Sequence, residues 1–204
     1  MNMQQQDLHT PGPVFISFSG KKQVGKDTAT EFARKKLVKS GKTVEISAFA
    51  EPLKDIAINV LGINRSLVYG SNEHKETITH IVWDNFPTNI RDKYSLDNDS
   101  PFPALRKGPM TVREVLQVLG TDIFRQMFDD NVWAKAPFNR HWNADVVILT
   151  DCRFPNEKEQ TELHEGLVVR VSRDTGMIDN HPSETALDGA EFETYYCNDG
   201  SLEE

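Results

Sequence analysis

The segment Gly20-Lys-Lys-Gln-Val-Gly-Lys-Asp-Thr28 constrains this chain more than any other, because of what flanks it. Before it stands Val14-Phe-Ile-Ser-Phe18, an apolar run of the kind that forms a buried parallel strand. After it Ala29, Phe32, Ala33 and Leu37 recur at helical spacing between Asp27 and Ser40, and Gly41 supplies a left-handed stop. A glycine-rich loop between strand and helix lets the backbone wrap a phosphate with its N–H groups aimed inward. The helix N-terminus adds positive potential, and Lys26 supplies a cation for β and γ phosphates. The spacing is that of a Walker A loop, so Gly20, Lys22, Val24, Gly25, Lys26, Asp27 and Thr28 are the candidate nucleotide-phosphate residues. The plainer alternative is a glycine-rich surface turn with solvated lysines.

One position departs from the pattern. The usual Ser/Thr after the lysine is Asp27, with Thr28 one place later. A carboxylate beside phosphates is unfavourable unless a cation intervenes, which argues for magnesium held by Asp27 directly or through water, with Thr28 on the α phosphate.

Strands and helices go on alternating. Val44 to Ala48 reads as a strand, and Pro52 opens a helix with Leu53, Ile56, Ala57, Val60 and Leu61 on one face and Gly62 at its end. Thr111-Val-Arg-Glu114 has the capping-box form, ahead of a helix that buries Val112, Val115, Leu116 and Leu119 and ends at Gly120, Thr121 and Asp122. Asp145 to Thr150 is the clearest strand, Pro155 to Glu165 a charged helix and Leu167 to Val171 a further strand. This order predicts an α/β fold with a doubly wound parallel sheet whose ligands sit beyond the C-terminal strand ends. Asn64 to Pro109 is polar and dotted with aromatics, with Asn, Asp, Ser and Pro clustered from Asp97 to Pro103. It reads as an inserted subregion or lid, not a separate domain. Arg173 to Asp188 reads as a polar loop and residues 1–13 as a flexible leader.

A second acidic group facing the phosphate loop belongs at the end of the strongest apolar strand, where Asp151-Cys-Arg153 stands. Asp151 is a Walker B-like candidate that orients magnesium or accepts a proton; alternatively it caps the Pro155 helix. Arg153 either stabilises the transferring phosphoryl charge or pairs with Asp151 or Glu157. Lys26, Asp151 and Arg153 are therefore the catalytic candidates, and Asp27 with Asp151 the metal candidates.

Composition bounds the partners. A length of 204 residues fits one domain, or one domain with an insertion, and 23 basic against 31 acidic residues give a net charge of −8, which argues against a nucleic-acid polymer as ligand. A mean hydropathy of −0.52 fits a soluble globule, with no run apolar enough for a membrane. Cys152 and Cys197 stand in no metal-ligand spacing and make no disulfide framework, so a reducing, cytoplasmic setting is expected.

The phosphate loop and Asp151-Cys-Arg153, taken with Ala50-Glu-Pro-Leu-Lys54-Asp55, Leu116-Gln-Val-Leu-Gly-Thr-Asp122, Trp133 and Asn198-Asp-Gly-Ser201, resemble the phage deoxynucleoside monophosphate kinases. The resemblance runs from Val14 to Glu204, more loosely over 64–109. It implies a P-loop NTPase three-layer αβα fold with a parallel sheet and an inserted acceptor-binding or lid region. One kinase domain would cover 14–204, with the insertion at about 64–109 and a lid loop at about 173–190. It also implies phosphoryl transfer from ATP to a deoxynucleoside 5′-monophosphate (dNMP), with Mg2+ as cofactor, ATP and dNMP as partners, and a homodimer, since that family often works as one.

Residue by residue, the resemblance places Lys54 on the acceptor monophosphate, where a solvated lysine is the plainer reading. Lys75, beside Glu76, falls near the same site. Gly120, Thr121 and Asp122 line the acceptor nucleotide. Gln117 reads a base edge or is simply solvated. Arg125 partners phosphate or base, and Trp133 is a stacking surface or a core residue. Arg173 and His181-Pro-Ser-Glu184 fall in the lid over ATP, whose closure excludes water. Asn198-Asp-Gly200 resembles the segment at the adenine ring, or forms a plain turn.

Two other readings stand beside this one. The Gly-Lys-Asp loop, Pro-Leu-Lys and Asp-x-Arg are also similar to animal phosphomevalonate kinase, against which stand Leu-Gly-Thr-Asp with Trp133 and the closing Asn-Asp-Gly-Ser-Leu-Glu. An NTP-dependent switch or binding module is the other; the chain carries no Asn-Lys-x-Asp guanine-reading segment.

Overall fold

The computed structural model describes residues 12–95, 104–176 and 182–200. Most of the expected leader, the Asp97–Pro103 cluster, His181 and the closing Ser201–Glu204 lie outside the described residues. Along the chain run β1 (Val14–Ser19), α1 (Lys26–Lys39), β2 (Val44–Ser47) and α2 (Glu51–Asp55), which passes into a π-helical segment, Ile56–Val60. Then come α3 (Arg65–Val68), α4 (Asn72–Lys75), β3 (Ile78–Val82), α5 (Thr88–Lys93), β4 (Pro109–Thr111), α6 (Val112–Gln117), a second π segment (Val118–Arg125) and α7 (Val132–Asn139). The chain closes with β5 (Val146–Cys152), α8 (Pro155–Leu163), β6 (Leu167–Ser172), α9 (Pro182–Thr185) and β7 (Thr194–Cys197). Two compact units result: the residues up to Phe49 with those from Pro137 onward, and Ala50–Ala136.

The first unit is a three-layer α/β sandwich around a parallel sheet of order β2-β5-β1-β6-β7. The pleat sends alternate residues to opposite faces. Ile16, Phe18, Ile148 and Val171 meet Ala29, Ala33 and Leu37 of α1 on one side. Phe15, Val147, Leu149 and Val168 meet Phe138, Trp142 and Leu187 on the other. Ser17 also points to that second face, its hydroxyl 2.8 Å from that of Thr161 on α8. Burial on both faces is why these strands read as near-continuous apolar runs.

Two features of this unit differ from expectation. Phe32, placed by periodicity on the buried face of α1, is 62% exposed, with the Lys36 ammonium 5.3 Å above its ring. Strand β7 was not expected: its four residues include exposed Tyr195 and Tyr196, and it is held by pairing with β6 (Val171 opposite Tyr196) rather than by an apolar pattern.

The second unit has its own core. Residues 64–109 contribute Val68, Trp83 and Ile90 to it, and Met110 follows directly, all at most 2% exposed; β3 pairs antiparallel with β4. The helix opening at Pro52 does reach Gly62, which turns at φ +70°, but through a π segment closed by Leu61 N–H donating to Ile56 O. The wider turn shifts the phase, so Val60 is 73% exposed and Ile58 packs inward instead. The capped helix likewise does not stop at Gly120 as expected but continues to Arg125. Gly120 is a glycine for another reason: a Cβ there would lie 2.9 Å from Leu53 Cδ2, so its role is close approach, not termination. Among the described residues no helix is long and apolar enough to cross a membrane.

The capping box at α6 is formed as the sequence predicts. Glu114 N–H donates to Thr111 Oγ1 at 3.2 Å, and Glu114 Oε2 accepts from Thr111 N–H at 2.8 Å while Arg106 pairs with its other oxygen at 2.7 Å. Burial alone would raise the Glu114 carboxyl, but these donors outweigh it and hold it below the usual 4.5. A depressed carboxyl stabilises the fold above its unfolded pKa, and that contribution is lost as pH falls through the folded value. Thr111→Ala should cost about 1 kcal/mol in urea unfolding, and Glu114→Gln should flatten the acid side of the stability profile below pH 4.5.

Candidate active site

The glycine-rich loop from Gly20 to Thr28 joins β1 to α1, and its shape is fixed by close packing. Gly25 turns at φ +97° and Gln23 at φ +65°, left-handed values of the kind found in loops whose N–H groups converge on an anion. A Cβ on Gly20 would lie 2.5 Å from Val171 O of β6, and one on Gly25 2.2 Å from Asn198 Nδ2. Asn198 itself donates from its side chain to Val24 O at 2.9 Å and from its backbone to Ser172 O at 2.8 Å, so it braces the loop from behind. Val24 is buried against the α1 face of the sheet. Lys22 is exposed, as are Asp27 and Thr28 in the first turn of α1. Lys26 folds back across the loop, its ammonium donating to Gly20 O and Lys21 O at 2.7 Å each. Burial lowers the Lys26 pKa from 10.5, and Arg153 and Arg170 lower it further, against the opposing pull of Glu184 and Asp27.

The ends of β5 and β6 deliver the remaining groups. Asp151 Oδ1 accepts from Phe49 N–H at 2.7 Å. It does not cap α8; Glu157 does so, accepting from Arg153 N–H at 2.7 Å and Phe154 N–H at 3.1 Å. The Arg153 guanidinium pairs with neither Asp151 nor Glu157, as one alternative expected, but with Glu184. The other Glu184 oxygen accepts from Lys22 N–H at 2.6 Å. Arg170 donates to Ser19 Oγ at 3.0 Å and to Asp188 at 3.3 Å, and Lys21 pairs with Asp188 at 2.8 Å. Arg173 is exposed directly after β6.

Glu184 was met in the sequence only as part of a lid segment, and no spacing singled it out. Arg170 and Asp188 were missed, although an arginine within Leu167-Val-Val-Arg-Val-Ser172 is a signal, since a charge in a buried strand needs a reason.

In the second unit, cations gather around α2, α4 and α6. The Lys54 ammonium lies 4.5 Å from the Tyr69 ring centroid and the Arg65 guanidinium 4.4 Å from it. Burial lowers the Lys75 pKa, and the neighbouring charges of Lys54 and Arg113 add to the effect, so three cations share one neighbourhood. Arg113 is steadied by Glu76 at 2.5 Å. Like charges held together in this way favour an anion. Arg65, Tyr69 and Arg113 had not been picked out from the sequence.

The segment after α6 is tied down from within. Asp122 is buried and accepts from Lys93 at 2.9 Å and Tyr94 O–H at 2.8 Å. Trp133 is 5% exposed, packs on Phe124 at 4.9 Å and donates to Gly120 O at 2.9 Å, which is the core position rather than an open stacking face. Gln117 and Thr121 are exposed, and Arg125 is half-buried.

Gly25→Ala tests whether the loop's shape is what binds. Strain of about 1–3 kcal/mol from the left-handed backbone, together with the Asn198 contact, should weaken pyrophosphate binding by about tenfold or more in calorimetry. Adding Asn198→Ala should restore only part of the loss, because it removes the contact and not the backbone strain.

Residues 63–204 match the family model described as deoxynucleotide monophosphate kinase. The match begins after the phosphate loop. The deoxynucleotide monophosphate kinase of Escherichia phage RB69 is 30% identical over 132 residues, covering 59% of this chain and 54% of its own length, so this chain spans about half of that relative. A protein of Acanthamoeba polyphaga mimivirus is 27% identical over 206 residues, covering 94% of this chain and 91% of its own. The deoxynucleoside-5′-monophosphate kinase of Escherichia phage T5 is 23% identical over 178 residues, covering 69% of this chain and 70% of its own. With a three-layer parallel-sheet fold and a glycine-rich loop at the C-terminal end of its central strand, the chain belongs to the deoxynucleotide monophosphate kinase family.

Proposed function

We propose that this chain transfers the γ phosphoryl group of ATP to the phosphate of a deoxynucleoside 5′-monophosphate, giving the dNDP and ADP. The observation that carries this reading is the loop from Gly20 to Thr28, with Lys26 lying across it and Arg153 beside it, on the edge where β1 and β5 end. In the reaction an oxygen of the acceptor phosphate bonds to the γ phosphorus as the bond to the β–γ bridging oxygen breaks. Such transfers are catalysed mainly by positioning and by neutralising oxygen charge. Lys26 and Arg153 supply that neutralisation, and Lys22, Val24, Gly25, Asp27 and Thr28 supply loop N–H groups.

Magnesium fits the donor set. Asp27 and Asp151 are hard oxygen ligands, and among the described residues no group of three or more His, Cys, Asp or Glu forms a cage. An ion shared with phosphates and water needs only one or two carboxylates. Asp27 and Asp151 would hold it, and when bound it would screen the β and γ oxygens.

The acceptor phosphate is assigned to Lys54 and Lys75, joined by Arg113, which share one neighbourhood. Thr121, Gln117 and Arg125 are the groups left to meet sugar or base. Gly120, Asp122 and Trp133 shape that segment from inside. Asn198 serves the donor by bracing Val24, and Arg173 is assigned to the donor side. One kinase domain over 14–204, with an insertion at about 64–109 and a lid loop at about 173–190, and work in the cytoplasm belong to the same proposal. Neither the phosphomevalonate kinase reading nor the switch reading is favoured for a member of this family.

ADP release from Mg-ATP against a panel of dNMPs, NMPs and mevalonate 5-phosphate tests it. Release should require a dNMP, and Lys26→Ala should lower kcat by a factor on the order of 10²–10³. Lys54→Ala should raise the KM for dNMP about tenfold or more while the KM for ATP stays put. ADP release indifferent to every dNMP would sink the assignment.

A further inference from the structure

The phosphate loop contains an anion already, and it belongs to the chain itself. Glu184 is 8% exposed. One of its oxygens accepts from the backbone N–H of Lys22, inside the loop, at 2.6 Å. The other is paired with the Arg153 guanidinium. Its charge also acts on Lys26, opposing the fall in that ammonium's pKa. A loop N–H on one oxygen and an arginine on the other, with the charge of a lysine acting nearby, is the recognition chemistry of a phosphoryl group, not that of an ordinary surface carboxylate.

The neighbouring chain is built to hold Glu184 there. Leu187 is 3% exposed in the apolar cluster on one sheet face. Asp188 ties down at 2.8 Å to Lys21 and at 3.3 Å to Arg170, which in turn holds Ser19 at the end of β1. Two carboxylates four residues apart thus engage adjacent residues of the loop, Glu184 at the Lys22 N–H and Asp188 at the Lys21 ammonium.

We propose that Glu184 is the internal anion of the phosphate loop: it positions Arg153 and the Lys22 N–H in the absence of donor, and the terminal phosphate of the donor must displace it to bind. This rests on the assignment of the loop to the phosphate donor. A carboxylate and a phosphate cannot share the Lys22 N–H, and their like charges at contact distance repel strongly in a site partly cut off from water. Binding is therefore an exchange of anions. Glu184 relieves the cost of leaving the Arg153 charge without a counter-ion, and the exchange lowers apparent donor affinity by the fraction of molecules in which Glu184 has let go.

The test compares wild type, Glu184→Gln, Glu184→Ala and Lys26→Ala in calorimetric titrations with inorganic pyrophosphate and with Mg-ATP, beside thermal unfolding with and without each ligand. Both Glu184 variants should bind pyrophosphate about three- to tenfold more tightly than wild type, as expected when a competing state is removed. Their unliganded melting temperature should fall while the ligand-induced rise grows; a merely structural ion pair would lower the first without enlarging the second. Unchanged or weaker binding in both variants, with wild type binding normally and Lys26→Ala impaired, would overturn the internal-anion role and leave the donor site standing. Failure of wild type and both Glu184 variants to bind either ligand would overturn the donor-site reading and the internal anion with it.

Discussion

The glycine-rich loop and the charged groups beside it hang from the pairing of β1 with β5 on one flank and β6 on the other. The register sets Phe15 opposite Val147 and Phe18 opposite Val169, and because all strands run the same way, their C-terminal ends come out along one edge. Strands about 4.8 Å apart then place the phosphate loop, Asp151 with Arg153, and Arg170 as neighbours without any of them being adjacent in sequence. The ladder is also exacting: Gly20 tolerates no side chain because the Val171 carbonyl of β6 passes beside it. The loop's composition is thus dictated as much by the neighbouring strand as by any ligand.

The sequence disclosed what has a local cause. A glycine-rich loop between an apolar strand and a helix, a Thr-x-x-Glu cap and an Asp at a strand end are each decided by a few adjacent residues, and each is found where the sequence placed it. What was misread depended on phase or on distant partners. Phe32 and Val60 were assigned to buried faces by periodicity, which ignores both the width of the face α1 turns to the sheet and the extra residue in a π turn. Gly120 looked like a helix stop because its partner, Leu53, is remote in sequence. Strand β7 and the Glu184 contacts have no local signature; both exist only because β6 or the phosphate loop is there to receive them.

The net charge of −8 says little about the site, since potential at a cleft is set by the nearest groups. Lys21, Lys26, Arg153 and Arg170 gather at one edge of the first unit, and Lys54, Lys75 and Arg113 form a second group in the other. Most of these cations are engaged by named carboxylates, carbonyls or ring faces, which is how so many like charges are tolerated in one folded chain.

The two π segments, Ile56–Val60 and Val118–Arg125, bear on how this chain can vary. Each acts as a one-residue surplus within a helix. Because the wide turn absorbs its surplus residue, losing one residue there would let the backbone relax to ordinary α geometry while the flanking turns keep their phase. The same deletion in the regular α-helix on either side would rotate everything downstream by about 100°. A one-residue change of length is therefore better tolerated at Ile56–Val60 and Val118–Arg125 than elsewhere along these helices, its cost falling on the side chains inside the wide turn, the buried Asp122 among them.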